Sequence, residues 1–308
     1  MSRILLQQGS LVPALRERAQ HALACGAMQP IETTGEIVRD DGVDFLVRRL
    51  SSLAHKEEAK IRSALAAKAS NASAKPANPF LPHEPDLFVV DVSDTHFALL
   101  NKFNVIERHL LVVTRSFVDQ ETLLDAGDFT ALAACMAEVD GLAFYNGGAV
   151  AGASQPHKHL QLVPLPLVNE GPPVPVEPLF AAVSGRPGIE RIPAFPFRHA
   201  FAWIEPECFR DVRSAAAHLH ALYLGLLAAT GLKGVEAEGT VRQSSPYNLL
   251  ATRRWMLLVP RSRELFESVP VNSLGFAGSL FVRDEAQMAV LRRAGAMAVL
   301  RGTAIALA

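Results

Sequence analysis

The chain has 308 residues, 49% of them hydrophobic and 20% charged, a balance found in ordinary globular proteins that excludes general disorder. With 30 basic against 31 acidic residues the net charge is -1, which gives no electrostatic reason to expect nucleic acid or an anionic membrane as partner. Cys25, Cys135 and Cys208 are odd in number, far apart and without a CxxC pair, so neither a disulfide framework nor a cysteine-based zinc site is expected, and a reduced, cytoplasmic compartment fits.

The opening MSRILLQQGS is too short in its apolar stretch for a signal-peptide core, and no apolar run reaches the roughly 18 to 20 residues that span a bilayer. Residues 10 to 25 read as a capped amphipathic helix with Leu11, Leu15, Ala19 and Leu23 on one stripe. A second helix is expected from Ser51 to Ala69, running into the small, polar stretch KASNASAKPANP, a mobile-loop candidate. Then LFVVDV, THFALL and HLLVVT follow one another with no helix between them, which predicts an antiparallel meander. Asp128 is expected to cap a helix whose apolar face holds Phe129, Leu132, Ala133 and Met136. LAFYNGG reads as a strand ending in a glycine turn.

Nine of the 20 prolines fall between Pro164 and Pro196, which makes this segment a connection rather than a regular element. Beyond it, FRHAFAWI, YNLLAT and WMLLVP read as strands, and residues 210–229 and 284–300 as helices, the first closed by Gly231. The fold class is α+β, a mostly antiparallel sheet flanked by helices. The proline-rich segment divides the chain into two half-domains packed together: residues 1–170, the connection 171–196, and residues 197–308.

The chemically informative stretch runs from Tyr145 to Leu165. HKHLQLV alternates with period two, so a strand would point His157, His159, Gln161 and Val163 to one face and Lys158, Leu160 and Leu162 to the other. Two imidazoles and an amide in a row on a half-buried face need partners. They could line a solvated face, chelate a metal, or supply a nucleophile beside a phosphate site. The metal reading lacks third and fourth ligands, since Glu170 is the nearest downstream acid. The turns YNGG and AGASQP directly precede the strand, and glycine there lets backbone N–H groups approach an anion while Ser154 and Gln155 add donors. That adjacency favours a nucleophilic histidine with phosphate-binding neighbours.

SQPHKHLQ resembles the active-site motif of the diadenosine tetraphosphate phosphorylases, or ATP adenylyltransferases, in the transferase branch of the histidine-triad superfamily. NPFLPHEPDLFV, LLNKFNV, HLLVVTRSF, YNLLATRRWMLLVPRS and VNSLGFAGSLFVR resemble further family segments in the family's order, so the likeness spans most of residues 40–285. It implies a histidine-triad-like fold and reversible phosphorolysis of diadenosine tetraphosphate to ATP and ADP. On that resemblance His159 is the nucleophile that becomes adenylylated, Gln161 binds phosphate oxygens where hydrolases carry a third histidine, and His157 supports them. Nucleotide and phosphate contacts would fall on Lys56, Asn101, Lys102, Asn146, Gly152, Ala153, Ser154, Gln155, Asn272 and Arg283. The expected partners are diadenosine tetraphosphate, ATP, ADP and phosphate, handled by a monomer. No tightly bound cofactor or structural metal is expected, though a divalent cation such as magnesium could accompany the polyphosphate. A hydrolase, a silent nucleotide sensor and adenosine phosphosulfate as substrate remain as alternatives, and the absent cysteine cluster weighs against the zinc-holding uridylyltransferase relatives.

His218 and His220 diverge on a helix, Cys135 sits on an apolar helix face, and Trp203 and Trp255 read as packing groups. His96, His109 and His199 read as structural.

Overall fold

The computed structural model describes residues 2–51, 78–237 and 239–307. Lys56, the helix expected from Ser51 and most of the expected mobile loop lie outside the described residues. Helix α1 (Leu11–Ala24) leads into a hairpin absent from the sequence expectations, β1 (Thr33–Asp40) and β2 (Val43–Leu50). The expected meander follows as β3 (Phe88–Asp91), β4 (His96–Leu100) and β5 (Leu110–Thr114). Helix α2 (Ala126–Glu138) comes before β6 (Gly141–Gly147) and β7 (His159–Pro164). After the proline-rich segment come β8 (Ile189–Glu190), β9 (Ala200–Trp203) and helix α3 (Val212–Thr230). A ribbon, β10 (Gly234–Ala237) and β11 (Thr240–Gln243), precedes β12 (Tyr247–Ala251) and β13 (Trp255–Pro260). The chain closes with β14 (Leu265–Phe266), β15 (Val269–Pro270), α4 (Ser273–Phe276), β16 (Ser279–Val282), α5 (Glu285–Ala294) and α6 (Ala296–Thr303).

Nine strands form one antiparallel sheet in the order β3-β4-β5-β7-β6-β12-β13-β9-β8. The seam between the two halves of the chain is the β6–β12 pair, so neither half closes a sheet of its own. Alternation along each strand sends side chains to two separate cores. Ala143, Tyr145, Leu160, Leu162, Leu249 and Leu258 pack under α1, α2 and α3. Leu142, Phe144, Val163, Leu250 and Leu257 pack on the opposite side against β2, β16, α5, α6 and the proline-rich segment. That segment is no loose linker, because Val174, Val176, Phe180, Ile192 and Phe195 are buried in the second core. The β2–β16 pair is parallel, an exception to the antiparallel rule elsewhere.

Three local expectations need correction. Asp125, not Asp128, is the N-cap of α2, and Asp128 stands at N3, closing a capping box in which each side chain bonds the other residue's backbone. The expected helix over 284–300 breaks at Gly295, whose φ of +87° and close approach to the Asp40 carboxylate suit a residue without Cβ. On α1, Ala22 is buried and Leu23 is exposed, because the buried stripe follows a spacing of three and four. Among the described residues, no helix is long and apolar enough to cross a membrane.

Lys158 enters the helix-covered core between two histidines that face the other way. Its Nζ donates to the Asp128 carboxylate at 2.8 Å and to the Leu123 carbonyl at 2.9 Å, with both side chains buried. His96 Nε2 bonds the other Asp128 oxygen at 3.0 Å. Burial alone would raise the Asp128 carboxyl pKa, yet the His96 hydrogen bond and the Lys158 charge hold it below the usual range. The ion pair therefore pins β7 to α2. Removing one partner leaves an uncompensated buried charge, so Asp128→Ala should lower the unfolding free energy by about 3 to 5 kcal/mol in chemical denaturation.

Candidate active site

The other face of β7 looks into a pocket of about 820 Å³ lined by His159, Gln161, Ser154, Gln155, Asn101, Lys102, Phe80 and His83. It adjoins a second pocket of about 400 Å³, lined by Asn146, Gly152, Asn272, His109 and Arg48. Ile31, Asn101, Phe103, Ser154 and Gln161 border both. Together they form a two-chambered cleft with the motif strand at its junction.

His159 is held in one tautomer. Its Nδ1 donates to the His157 carbonyl at 2.8 Å, so Nε2 keeps its lone pair and makes no hydrogen bond among the described residues. Burial is the main cause that lowers its pKa to about 4, so the ring is neutral near pH 7. The backbone at His159 is fixed by Gln120, inserted where the β6–β7 ladder has ended. Gln120 Oε1 accepts from His159 N–H at 2.9 Å, and its Nε2 donates to the carbonyls of Asn146 at 2.9 Å and His159 at 3.3 Å. The Tyr145 hydroxyl in turn donates to the Gln120 carbonyl.

His157 points to the same side but is fully buried. Its Nε2 donates to the Thr114 carbonyl at 2.9 Å, Nδ1 accepts from Asn78 at 2.9 Å, and the Phe80 ring sits edge-on at 5.6 Å. Phe80 also leans on His159 at 5.3 Å. His157 thus shapes the wall and supplies the carbonyl that orients His159.

His109, read from sequence as structural, sets the direction of Gln161. Asn101 Nδ2 donates to His109 Nδ1 at 3.2 Å, and His109 Nε2 donates to Gln161 Oε1 at 2.9 Å. The Gln161 NH₂ is thereby left free for the cleft. Asn146 is oriented in the same manner: its Oδ1 accepts from Asn248 at 2.9 Å and from the Ser273 N–H at 3.0 Å, and Nδ2 has no partner among the described residues. Behind Asn248 lies Arg261, whose guanidinium donates to Asn248 Oδ1 at 2.6 Å and to the Val271 carbonyl at 2.8 Å. The Asn248 amide also ties down the Ala151 carbonyl of the glycine turn at 2.9 Å. Neither Gln120, His109, Asn248 nor Arg261 carries a local signal, because each acts through contacts far away in sequence.

The other expected contacts divide. Gly152 has φ +90°, and a Cβ there would come within 2.7 Å of Asn272 Cβ, so only glycine lets the turn close on α4. Asn272 lines the smaller pocket while its side chain caps α4 through Leu274 N–H. Ala153 bonds the Gly148 carbonyl through its backbone, shaping the turn without lining either pocket. Lys102 lines the larger pocket but is ion-paired with Glu84 at 2.7 Å. Arg283 lines neither pocket, because β16 ends at Val282 and the chain turns away into the N-cap Asp284.

His157 and His159 gather no third His, Cys, Asp or Glu ligand among the described residues. The group that does come together is His21, Cys25 and Asp86, with ligand atoms within 4.8 Å, and none of the three lines either pocket.

Residues 1–182 match the Ap4A phosphorylase N-terminal domain, more than half of the chain. The chain belongs to the Ap4A phosphorylase family. Residues 193–306 match the ATP adenylyltransferase C-terminal domain. Among curated proteins, diadenosine 5',5'''-P1,P4-tetraphosphate phosphorylase 2 of Saccharomyces cerevisiae is 27% identical over 242 residues, which cover 71% of this chain and 72% of the yeast protein. Protein APA1 of the same yeast is 28% identical over 61% of each chain. The fold matches the crystal structure of yeast Ap4A phosphorylase Apa2 with a TM-score of 0.76 over 98% of this chain and 96% of that one, at 21% identity. A second structure of the yeast enzyme, in complex with Ap4A, matches with a TM-score of 0.73 at 20% identity over 96% of this chain and 97% of that one.

Burial also governs the response of this family member to acid. His109, His159 and His199 each have a pKa lowered to about 4, chiefly by burial, while unfolded histidines titrate near 6.5. Below pH 6.5 the unfolded chain binds protons that the folded chain refuses, so stability present above that pH is lost as pH falls toward 4 and levels off below it. Each ring accounts for about 3 kcal/mol at most. Urea midpoints measured from pH 7.5 to 3.5 should drop most steeply between 6.5 and 4.

Proposed function

We propose that the cleft transfers an adenylyl group from diadenosine tetraphosphate to phosphate through a covalent adenylyl-histidine on His159, yielding ATP and ADP reversibly. The observation that carries this is the arrangement at the chamber junction. Among the described residues His159 Nε2 is unpaired, and the free amide donors of Gln161 and Asn146 are each fixed by a hydrogen-bond relay that consumes their oxygen.

In the first step the Nε2 lone pair attacks an α-phosphorus, the P–O bond to the β-phosphate breaks, and ATP leaves as an anion. The imidazole becomes positively charged as the N–P bond forms, and the His157 carbonyl accepting from Nδ1 stabilises that charge. Charge that builds on the non-bridging oxygens meets the Gln161 and Asn146 amides and the donors of the Gly152–Gln155 turn. In the second step a phosphate oxygen attacks, the P–N bond breaks, and ADP departs with the lone pair restored to Nε2. ATP is a weakly basic leaving group, so no acid is needed and glutamine suffices at position 161. A divalent cation arriving with the polyphosphate would shield its charge without a dedicated protein site.

The test is incubation with diadenosine tetraphosphate with and without phosphate, products separated by nucleotide chromatography. ATP and ADP formed only with phosphate support the reading; AMP and ATP formed in its absence would mark a hydrolase, and no product a binding protein. His159→Ala should abolish turnover while the fold and nucleotide binding persist, and replacing His157 should slow the reaction without removing it. Gln161→His supplies an acid–base group beside the intermediate, and the expected result is a rise in AMP relative to ADP when phosphate is limiting. An unchanged AMP-to-ADP ratio across phosphate concentrations would place acceptor choice elsewhere.

A further inference from the structure

We propose that Arg48 is the binding residue for the phosphates of the substrate portion that is not transferred to His159, which makes it a determinant of polyphosphate length. This inference rests on the adenylyl-transfer reading and adds to it a site in the smaller chamber.

The two chambers differ in their charged walls. Lys102 in the larger one is already neutralised by Glu84. In the smaller one the charged side chains are Arg48 and Glu264, and neither takes part in an ion pair among the described residues. Arg48 is half-buried on β2. Its Nη2 reaches the Leu167 carbonyl at 3.3 Å, whereas its Nε is buried with no hydrogen-bond partner among the described residues. A lone carbonyl does not offset a guanidinium withdrawn from water, and burial lowers its pKa accordingly. A guanidinium with so few partners is a ready donor to a phosphate oxygen.

The fold explains why the guanidinium stands there. Val43, Phe45 and Val47 of β2 fill the second core, so Arg48 belongs to the strand's other face. The parallel partner β16 sets Phe281 opposite Arg48, and Ser279, Leu280 and Phe281 line the same chamber. A nucleotide whose α-phosphorus lies at His159 has its leaving phosphates expelled away from that ring. The shared border of Asn101, Ser154 and Gln161 leads from His159 into the chamber that holds Arg48. The amides along this border are neutral donors that serve the phosphorus under attack; a chain of further phosphates needs a cation beyond them.

The experiment measures binding of AMP and of ATP by calorimetry in a His159→Ala background, where no bond is broken, with Arg48 intact, Arg48→Lys and Arg48→Met. With Arg48→Met, ATP affinity should fall by about 10- to 100-fold, as loss of a charge-assisted contact implies, while AMP affinity stays within about twofold. Arg48→Lys should recover part of the loss. Equal weakening of AMP and ATP would mean that Arg48 only shapes the cleft through Leu167, and unchanged affinity for both would mean that the phosphates lie elsewhere. Either result overturns the inference. If Arg48→Met fails to fold, the Arg48→Lys ratio of ATP to AMP affinity decides alone, an unchanged ratio overturning it. Phosphate-dependent cleavage by the unsubstituted chain is followed in parallel, so failure of the transfer reading shows there and is distinguishable from failure of the Arg48 assignment.

Discussion

Asn146 and Asn248 stand directly opposite each other where β6 meets β12, and their side chains are bonded across that seam. Most of the cleft follows from this contact. The seam joins the strand next to the histidine motif to the C-terminal half, and the buried Arg261 completes it by satisfying the Asn248 oxygen. Burial lowers the Arg261 pKa only to about 10, so it stays charged at neutral pH and donates to a ring of backbone carbonyls from Ala151 to Thr303. Such a hub is costly when half-satisfied and specifying when complete. Here it fixes which end of the Asn146 amide faces the smaller chamber, the nitrogen rather than the oxygen.

The two faces of the motif strand show a division of electrostatic labour. The Lys158–Asp128 pair places its charges on the helix side, where it fastens the strand. On the cleft side the imidazoles of His109 and His159 are neutral, and the donors are amides and backbone N–H groups. An imidazole so close in sequence to a lysine could have been electrostatically altered by it. Alternation along β7 instead turns the ammonium to the opposite face, so the charge is spent within the core.

The sequence showed the strand pattern, the glycine turns and the HxHxQ face because each is a local pattern with a short period. The meander of β3, β4 and β5 was legible for the same reason. What escaped was non-local. In the β1–β2 hairpin β1 has no buried residue and so no apolar alternation to announce a strand pair, yet its partner β2 delivers Arg48 to the cleft. Gln120 lies in an irregular segment and matters only because it plugs the gap between two diverging strands. The misplaced cap of α2 arose because Asp125 and Asp128 are both capable of the role, and only the reciprocal hydrogen bonds separate them.

The hydrogen bonds that define the cleft also dictate when it can exist during synthesis. Asn248 lies 102 residues beyond Asn146, and Ser273 lies 127 beyond it. The Met297 amide, 257 residues past Asp40, fastens the last helix to the first hairpin. Contacts of such separation make folding slow, since loop-closure entropy is lost before they form. As the ribosome releases the chain, the histidine motif emerges long before the strands and loops that orient its neighbours. The nascent first half therefore passes through a period in which β6 presents an open strand edge, the kind of surface on which chaperones act.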